Sequence, residues 1–217
     1  PASEDELPDQ WNSAGQEIDD SSWESGPAGL GWESSNGTLN DLIVTDLRDR
    51  MRGKNASGFF RFAFEYDPAG RELQTLTFKT RIDDGYTAFL NGTEIASYNS
   101  PSPLLWNSRS PKSGRVDSAI VNEPTEHDIT GSAQLINNGQ NVIAIQGMNS
   151  AIGGSDFLIQ AELVAEMRKV GESFAGFFTT PTPGNPNSGG KASGPIFFSF
   201  TQKPDRPESG NDLAIEA

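Results

Sequence analysis

The clearest hydrophobic pattern in the chain is a two-residue alternation that begins at residue 57. The segment SGFFRFAFEY (57–66) places aromatic side chains at every second position from Phe60, and ELQTLTFKTRI (72–82) alternates in the same way. Such a period is typical of a β-strand with one buried face. QNVIAIQGM (140–148) and SDFLIQAELVAE (155–166) predict two further strands. No segment carries a long helical period, so the pattern predicts an all-β fold.

The segment TAFLNGTEIAS (87–97) predicts a β-hairpin. The pair Asn91 and Gly92 at its centre is the strongest short-range signal for a type I′ turn, in which both residues have positive φ. We therefore expect antiparallel strands at about residues 86–90 and 93–97.

The three residues that precede this hairpin, Asp83, Asp84 and Gly85, have two interpretations. In the first they form a bend, where an aspartate binds backbone N–H groups and Gly85 supplies an unusual torsion. In the second they contact a ligand or a cation at the end of a loop. Adjacent residues of an extended strand point to opposite faces, so the two aspartates cannot form an acid/base pair. We favour the bend.

Composition divides the chain into four parts. We expect an acidic tail over residues 1–10, a folded domain over 11–166, a linker rich in proline, glycine and serine over 167–195, and the opening strands of a further β module over 196–217. Because the sequence starts at Pro1 without a methionine, we expect it to be a piece of a longer precursor.

Charge and cysteine content exclude several classes of partner. The 217-residue chain has a formal net charge of −14 and no cysteine. Phosphate binding needs a surplus of lysine and arginine, so we expect no nucleic-acid partner. Without cysteine there is neither a disulfide nor a thiolate metal site. The apolar runs are too short for a transmembrane helix, so we expect no membrane span.

Several of these segments together resemble a known family. The segments are WESGPAGLGWE (23–33), SGFFRFAFEY (57–66), the DDG hairpin (81–97), HDITGSAQLINNGQNVIAIQGMN (127–149) and SDFLIQAELVAE (155–166). They resemble the galactose-binding-domain-like jelly roll, as found in the N-terminal sandwich of β-galactosidase-type glycosidases. The resemblance extends to accessory modules of large secreted bacterial proteins of the planctomycete type.

This resemblance implies a jelly-roll β-sandwich over residues 11–166 and a secreted, multidomain bacterial protein. The location would then be extracellular, cell-surface or periplasmic. In such proteins the module after the linker is often immunoglobulin-like or lamin-tail-like, and residues 196–217 resemble the opening strands of one.

Candidate catalytic residues are few. His127 is the only histidine, and the chain has no Gly-x-Ser-x-Gly motif, so a serine hydrolase triad is not indicated. A glycosidase needs a pair of carboxylates, and acids are available, but their spacing cannot show such a pair and we favour a solvated acidic surface. These acids are Asp19, Asp20, Glu123, Glu126, Asp128, Asp156 and Glu162. We expect no catalytic residue in this chain.

Calcium is the metal that this composition suits best, because it takes oxygen ligands from loops and needs no histidine or cysteine. The resemblance implies a structural calcium ion where the N-terminal loop meets the last strand. On that basis Asp19, Asp20 and Glu162 are the candidate ligands. No other cofactor is expected.

The long polar loop over residues 98–117 carries Trp106, and loops of this length are commonly functional. An aromatic ring can stack on the C–H face of a sugar, with Tyr98 and Trp32 as candidates to extend the platform. Asp83 and Asp84 open the adjacent hairpin, and Asn149 follows the strand over 140–148, so we expect all three to converge with the loop on one rim. The predicted ligand site therefore consists of Asp83, Asp84, Trp106 and Asn149. The alternative for Trp106 is burial against the sandwich.

These features predict a non-catalytic extracellular accessory module that binds carbohydrate or packs against neighbouring domains of the same chain. Two alternatives stay open. One is a carboxylate-dependent glycosidase or other hydrolase, and the other is a purely structural spacer, since one fold hosts many activities.

Overall fold

The computed structural model describes residues 6–14, 18, 20, 22–34 and 37–170, together with strand residues 176–177, 191–192, 201–203 and 214–216. The chain forms two compact units, residues 1–170 and 171–217. The first unit contains two β-sheets whose inner faces share one hydrophobic core. The prediction of an all-β sandwich is therefore confirmed.

One sheet of the sandwich has five strands. They are β1 (Leu30–Trp32), β2 (Thr45–Asp46), β4 (Arg71–Asp83), β7 (Thr125–Asp128) and β9 (Phe157–Lys169). Their spatial order is β2-β1-β9-β4-β7. β1 and β2 run parallel, and every other pair in this sheet is antiparallel. The last strand of the sandwich thus lies at the centre of this sheet, and it ends three residues beyond the predicted boundary at 166.

The other sheet has four antiparallel strands in the order β3-β8-β5-β6. They are β3 (Ser57–Tyr66), β5 (Gly85–Leu90), β6 (Thr93–Tyr98) and β8 (Gly139–Met148). Short helices connect the strands: α1 (Arg48–Met51), α2 (Asp117–Asn122) and two 3₁₀ helices at Thr38–Leu42 and Thr130–Leu135. No helix in the described part of the chain is long and apolar enough to cross a membrane.

The core follows from the alternation in the sequence. Phe78 and Ile82 on β4 and Ile145 on β8 are buried in the one cluster to which both sheets contribute. Trp32 also lies in this core, stacked on Phe157 with ring centroids 5.1 Å apart. Burying a large apolar side chain stabilises a fold by about 1.5–3 kcal/mol. Because Trp32 is only 1% exposed, it is not available to the aromatic platform suggested from the sequence.

The N-terminal segment packs on the outer face of the four-stranded sheet. Trp11 makes edge-on contacts with Phe59 and Phe89, at centroid distances of 4.8 and 5.8 Å. Arg61 on β3 donates to the backbone carbonyl of Trp11 and forms an ion pair with Asp20 at 3.3 Å. Residues before the first strand therefore belong to the folded unit.

The second unit is described only through four short strands. β10 (Gly176–Phe177) pairs with β11 (Lys191–Ala192), and β12 (Thr201–Lys203) pairs with β13 (Ala214–Glu216), both antiparallel. Most of the predicted linker and of the predicted further module lies outside the described residues. Those two assignments stay predictions.

The predicted hairpin between β5 and β6 is confirmed. Asn91 has φ of 49° and Gly92 has φ of 91°, as a type I′ turn requires. The Asn91 side chain also accepts a hydrogen bond from the Val142 backbone N–H at 2.8 Å and donates to Asn141 Oδ1 at 2.7 Å. Since Asn141 is fully buried, the turn is fixed to β8 by a satisfied polar network.

We predict that Gly92→Ala destabilises the protein by about 1–2 kcal/mol, because a Cβ atom is disfavoured in the left-handed conformation. The added atom would also approach Ser13 Oγ to 2.7 Å. Urea denaturation measures the effect. Gly131→Ala is the matched control, because its Cβ meets no atom within 4 Å and its φ is not positive. Equal stabilities of the two variants would contradict this account of the turn.

Candidate functional site

The bend at residues 83–85 carries the chain from one sheet to the other. Asp83 is the last residue of β4 and Gly85 is the first residue of β5, and the Asp83–Asp84 peptide bond is cis. A Cβ atom at Gly85 would lie 2.8 Å from the carbonyl oxygen of Asn99, whereas its φ is not positive. The sequence interpretation of a bend holds, but Gly85 is required by close packing and not by an unusual torsion.

Asp84 fastens two loops to this bend. One carboxylate oxygen accepts a hydrogen bond from the Gly114 backbone N–H at 2.6 Å, and the other accepts one from the Ser150 N–H at 2.8 Å. Its backbone carbonyl accepts a third bond from the Asn99 side chain at 3.1 Å. Asp84 is only 7% exposed. Its bonds therefore define the arrangement of the loops, and its side chain is largely withdrawn from solvent.

Asn149 fixes the loop that leads into β9. Its side chain donates to the Asp156 carbonyl at 2.7 Å and accepts from the Ala151 N–H at 3.1 Å. Its backbone carbonyl accepts a bond from the Ser110 N–H at 3.2 Å, which joins this loop to the long one. Asn149 is only 2% exposed, so its side chain stabilises the loop through these internal hydrogen bonds and does not face solvent.

Trp106 lies at a cleft on the same end of the sandwich. The cleft has a volume of about 290 Å³, and its polar and cationic lining side chains are Lys54, Asn55, Ser57, Asn107 and Arg109. The Trp106 side chain lines it and is half-buried. Of the four residues predicted to bind ligand, this one alone is among those that line the cleft.

The loop around Trp106 is held at several points. The Ser57 hydroxyl donates to the Ser108 carbonyl at 2.6 Å, and the Gln146 side-chain amide donates to the Leu105 carbonyl at 2.8 Å. The Ser108 hydroxyl accepts from the Leu105 N–H at 2.8 Å. Trp106 is thus flanked on both sides by backbone that is bonded to β3 and β8.

A group of carboxylates lies at the same end, on the outer face of the five-stranded sheet. Oxygens of Glu33, Asp117 and Asp156 lie within 4.8 Å of one another. Burial, with the negative charges of Asp156 and Glu33, raises the pKa of Asp117. Burial likewise raises the pKa of Asp156, with Glu33 and Asp84 adding to the effect. Sequence reasoning missed Glu33 and Asp117, because nothing in their local sequence marks two distant acids as neighbours.

Asp83 lies beside this group and is 4% exposed. Burial and the charges of Asp84 and Asp156 raise the pKa of Asp83 to about 8. Its Oδ2 atom is buried and has no hydrogen-bond partner in the described part of the chain. A buried carboxyl oxygen without a partner is unusual in a native protein.

Of the three calcium ligands suggested from the sequence, the structure describes two, and these two lie apart. Asp19 lies outside the described residues. Asp20 pairs with Arg61 on the outer face of the four-stranded sheet. Glu162 stands opposite Lys79 on the outer face of the five-stranded sheet. The structure therefore places the two described candidates on opposite sides of the sandwich.

His127 lies on β7 and makes a structural contact. Its Nε2 atom lies 2.7 Å from the hydroxyl of the buried Tyr86. Burial lowers the pKa of His127 and raises the pKa of Tyr86, so both are stabilised in their neutral forms. A neutral histidine bonded to a buried phenol agrees with the structural interpretation of this residue.

We predict that Asp84→Asn destabilises the protein by about 2 kcal/mol. Asparagine would keep one acceptor but would point an N–H₂ donor at the backbone N–H of Gly114 or Ser150. The Asp67→Asn variant is the control, because Asp67 accepts one bond, from the Ala69 N–H at 2.8 Å, which asparagine can also accept. Urea denaturation of both variants is the measurement, and equal losses would contradict the role assigned to Asp84.

Comparisons with known proteins place few limits on function. No protein-family model matches the chain, and no curated protein matches it. Among solved structures, the chain is similar to an α-L-rhamnosidase of Streptomyces avermitilis, determined in complex with L-rhamnose. The match covers 53% of this chain and 9% of that chain, with 15% identity and a TM-score of 0.34. The chain thus matches only a small part of that protein.

Proposed function

We propose that the first unit is a non-catalytic extracellular accessory module that binds carbohydrate through the Trp106 cleft. The observation that supports this most directly is the composition of the cleft, where a half-buried indole lies beside amide and cationic side chains. Sugars present apolar C–H faces and polar hydroxyl groups, and a site for them needs both kinds of partner. Asn55 and Asn107 can each donate to and accept from a hydroxyl.

The anchoring of the loop supports the same proposal. Bonds from Ser57 and Gln146 fix the backbone on either side of Trp106 before any ligand arrives. A preformed site loses less conformational entropy on binding than a mobile loop would. Its cleft volume of about 290 Å³ is near the lower end of ligand pockets, which suits a short saccharide segment.

Two alternatives give different results in the same experiments. For a hydrolase, the carboxylate group is the candidate site, since Asp117 and Asp156 have raised pKa values there. Glu33 and Asp83 beside them are buried, so their carboxyl groups are largely withdrawn from solvent, which favours a non-catalytic role. A structural spacer, or a module that only packs against neighbouring domains of a larger secreted bacterial protein, would show neither binding nor turnover.

We predict that Trp106→Ala weakens polysaccharide retention at least tenfold, which corresponds to about 1.4 kcal/mol. The fold should be retained, because Trp106 does not belong to the hydrophobic core. Affinity electrophoresis on a polysaccharide panel, chosen from glycan-array hits, measures the change. Trp23→Ala is the matched control, because Trp23 is also half-buried but lines different clefts.

Other outcomes would favour the alternatives. Loss of retention in Trp23→Ala but not in Trp106→Ala would move the site to another cleft. Turnover of chromogenic glycosides by the intact chain would support a hydrolase. An array without hits would leave the spacer as the better account.

A further inference from the structure

The charge of the Trp106 cleft is opposite in sign to the charge of the chain as a whole. The sequence contains 30 acidic and 16 basic side chains, which gives a formal net charge of −14. The cleft nevertheless has Lys54 and Arg109 in its lining, and none of the described residues that line it is an aspartate or a glutamate. Because the nearest charges dominate the potential at short range, this cleft attracts anions although the protein is acidic.

Lys54 is positioned by the loop between α1 and β3. Its backbone N–H donates to the Met51 carbonyl at 2.9 Å, and the neighbouring Gly53 N–H donates to the carbonyl of Ile152, another lining residue, at 2.7 Å. The Lys54 ammonium group donates to the backbone carbonyl of Asp49 at 2.7 Å. That bond orients the ammonium group, but a carbonyl carries no formal charge, and two of the three ammonium donors remain for a ligand.

Arg109 is positioned through the backbone on either side of it. Its neighbours Ser108 and Ser110 are 9% and 4% exposed, whereas Arg109 itself is exposed. The Ser108 carbonyl accepts a bond from the Ser57 hydroxyl at 2.6 Å, and the Ser110 N–H donates to the Asn149 carbonyl at 3.2 Å. The loop therefore fixes the backbone of Arg109 and leaves its side chain accessible in the cleft.

Neither Lys54 nor Arg109 is neutralised by an acid of the described residues. The ion pairs found there join Arg50 to Glu24, Arg61 to Asp20, Lys79 to Glu126 and Arg168 to Glu72. The guanidinium group of Arg109 also has no hydrogen-bond acceptor within that part of the chain. Its planar array of donors is therefore free to bind an oxyanion through two parallel hydrogen bonds.

We infer that the saccharide bound in this cleft is acidic, and that Lys54 and Arg109 bind its carboxylate or sulfate groups. The inference rests on the proposed carbohydrate-binding function and specifies its ligand. A ligand that covers the cleft removes water from both cations. Neutral hydroxyl groups offset that cost only in part, whereas an anion offsets it through charge-assisted hydrogen bonds. A uronic acid and a sulfate ester both present charged oxygens in the spacing that a guanidinium group binds.

Salt concentration separates the attraction in the cleft from the repulsion by the rest of the surface. At about 150 mM salt the Debye length is about 8 Å, so most of the distant acids are screened while charges in direct contact with the ligand still act. We therefore expect an acidic polysaccharide to bind at this salt concentration in spite of the net charge of −14. At about 1 M salt, where the Debye length is about 3 Å, binding should weaken.

The test uses the full 217-residue chain and two pairs of immobilised polysaccharides whose members differ in charge. One pair is polygalacturonate and its methyl ester, and the other is κ-carrageenan and its chemically desulfated form. Biolayer interferometry at about 150 mM salt measures the Kd for each polymer. We expect the acidic member of one pair to bind at least tenfold more tightly than its neutral partner, and the pair that responds distinguishes carboxylate from sulfate.

Lys54→Gln and Arg109→Gln should each weaken binding of that acidic polymer at least fivefold and leave binding of its neutral partner unchanged. Arg52→Gln and Lys112→Gln are the matched controls, because each removes an exposed cation from the same loop but from a position that does not line the cleft. Both controls should bind as the unmodified chain does. All four positions are exposed, so we expect all four variants to fold, and urea denaturation verifies this.

The outcomes separate this inference from the proposed function. Equal binding of an acidic polymer and its neutral partner, with both lost in Trp106→Ala, would overturn the inference and leave carbohydrate binding in place. Equal losses in the control and cleft variants would show a non-specific attraction to positive charge and would also overturn it. Binding of none of the four polymers overturns the inference, and an array without hits then removes the proposed function as well.

Discussion

The hydrogen bonds of the Asp84 carboxylate are the interaction on which one end of the sandwich depends. The chain crosses between the sheets at this residue, and its two oxygens accept bonds from two different loops. One loop carries Trp106 and the other leads to Asp156. Because a single side chain sets the position of both loops, the positions of the cleft and of the carboxylate group both depend on Asp84. Charge-assisted bonds to backbone N–H groups are strong enough to define such a junction.

The sequence predicted the fold well, because the fold depends on local and periodic signals. The alternation in β3 and β4 specified which side chains face the core, and the Asn91-Gly92 pair specified the turn. Gly85 shows where local reasoning fails. Turn chemistry suggested a torsional role, but its function is to admit a carbonyl oxygen of a distant loop. Close approach between distant segments leaves no periodic trace in a sequence.

The candidate site was less predictable for the same reason. Sequence reasoning brought Asp83, Asp84, Trp106 and Asn149 to one end of the sandwich, and the structure does place them there. It could not distinguish side chains that line the cleft from those that support it, since burial depends on the packing of whole loops. Glu33 and Asp117 meet only because β1 adjoins β9 and α2 folds over that sheet. The sheet order, and not any motif, brings them together.

The packing of Trp11 has a consequence for where this unit can be joined to another domain. Trp11 covers Phe59 and Phe89 on the outer face of the four-stranded sheet. A recombination breakpoint placed just before β1 would separate this cover from the sheet and leave two aromatic rings exposed to water. Exposed apolar patches promote self-association. Any fusion or truncation of this unit must therefore retain the residues that precede the first strand.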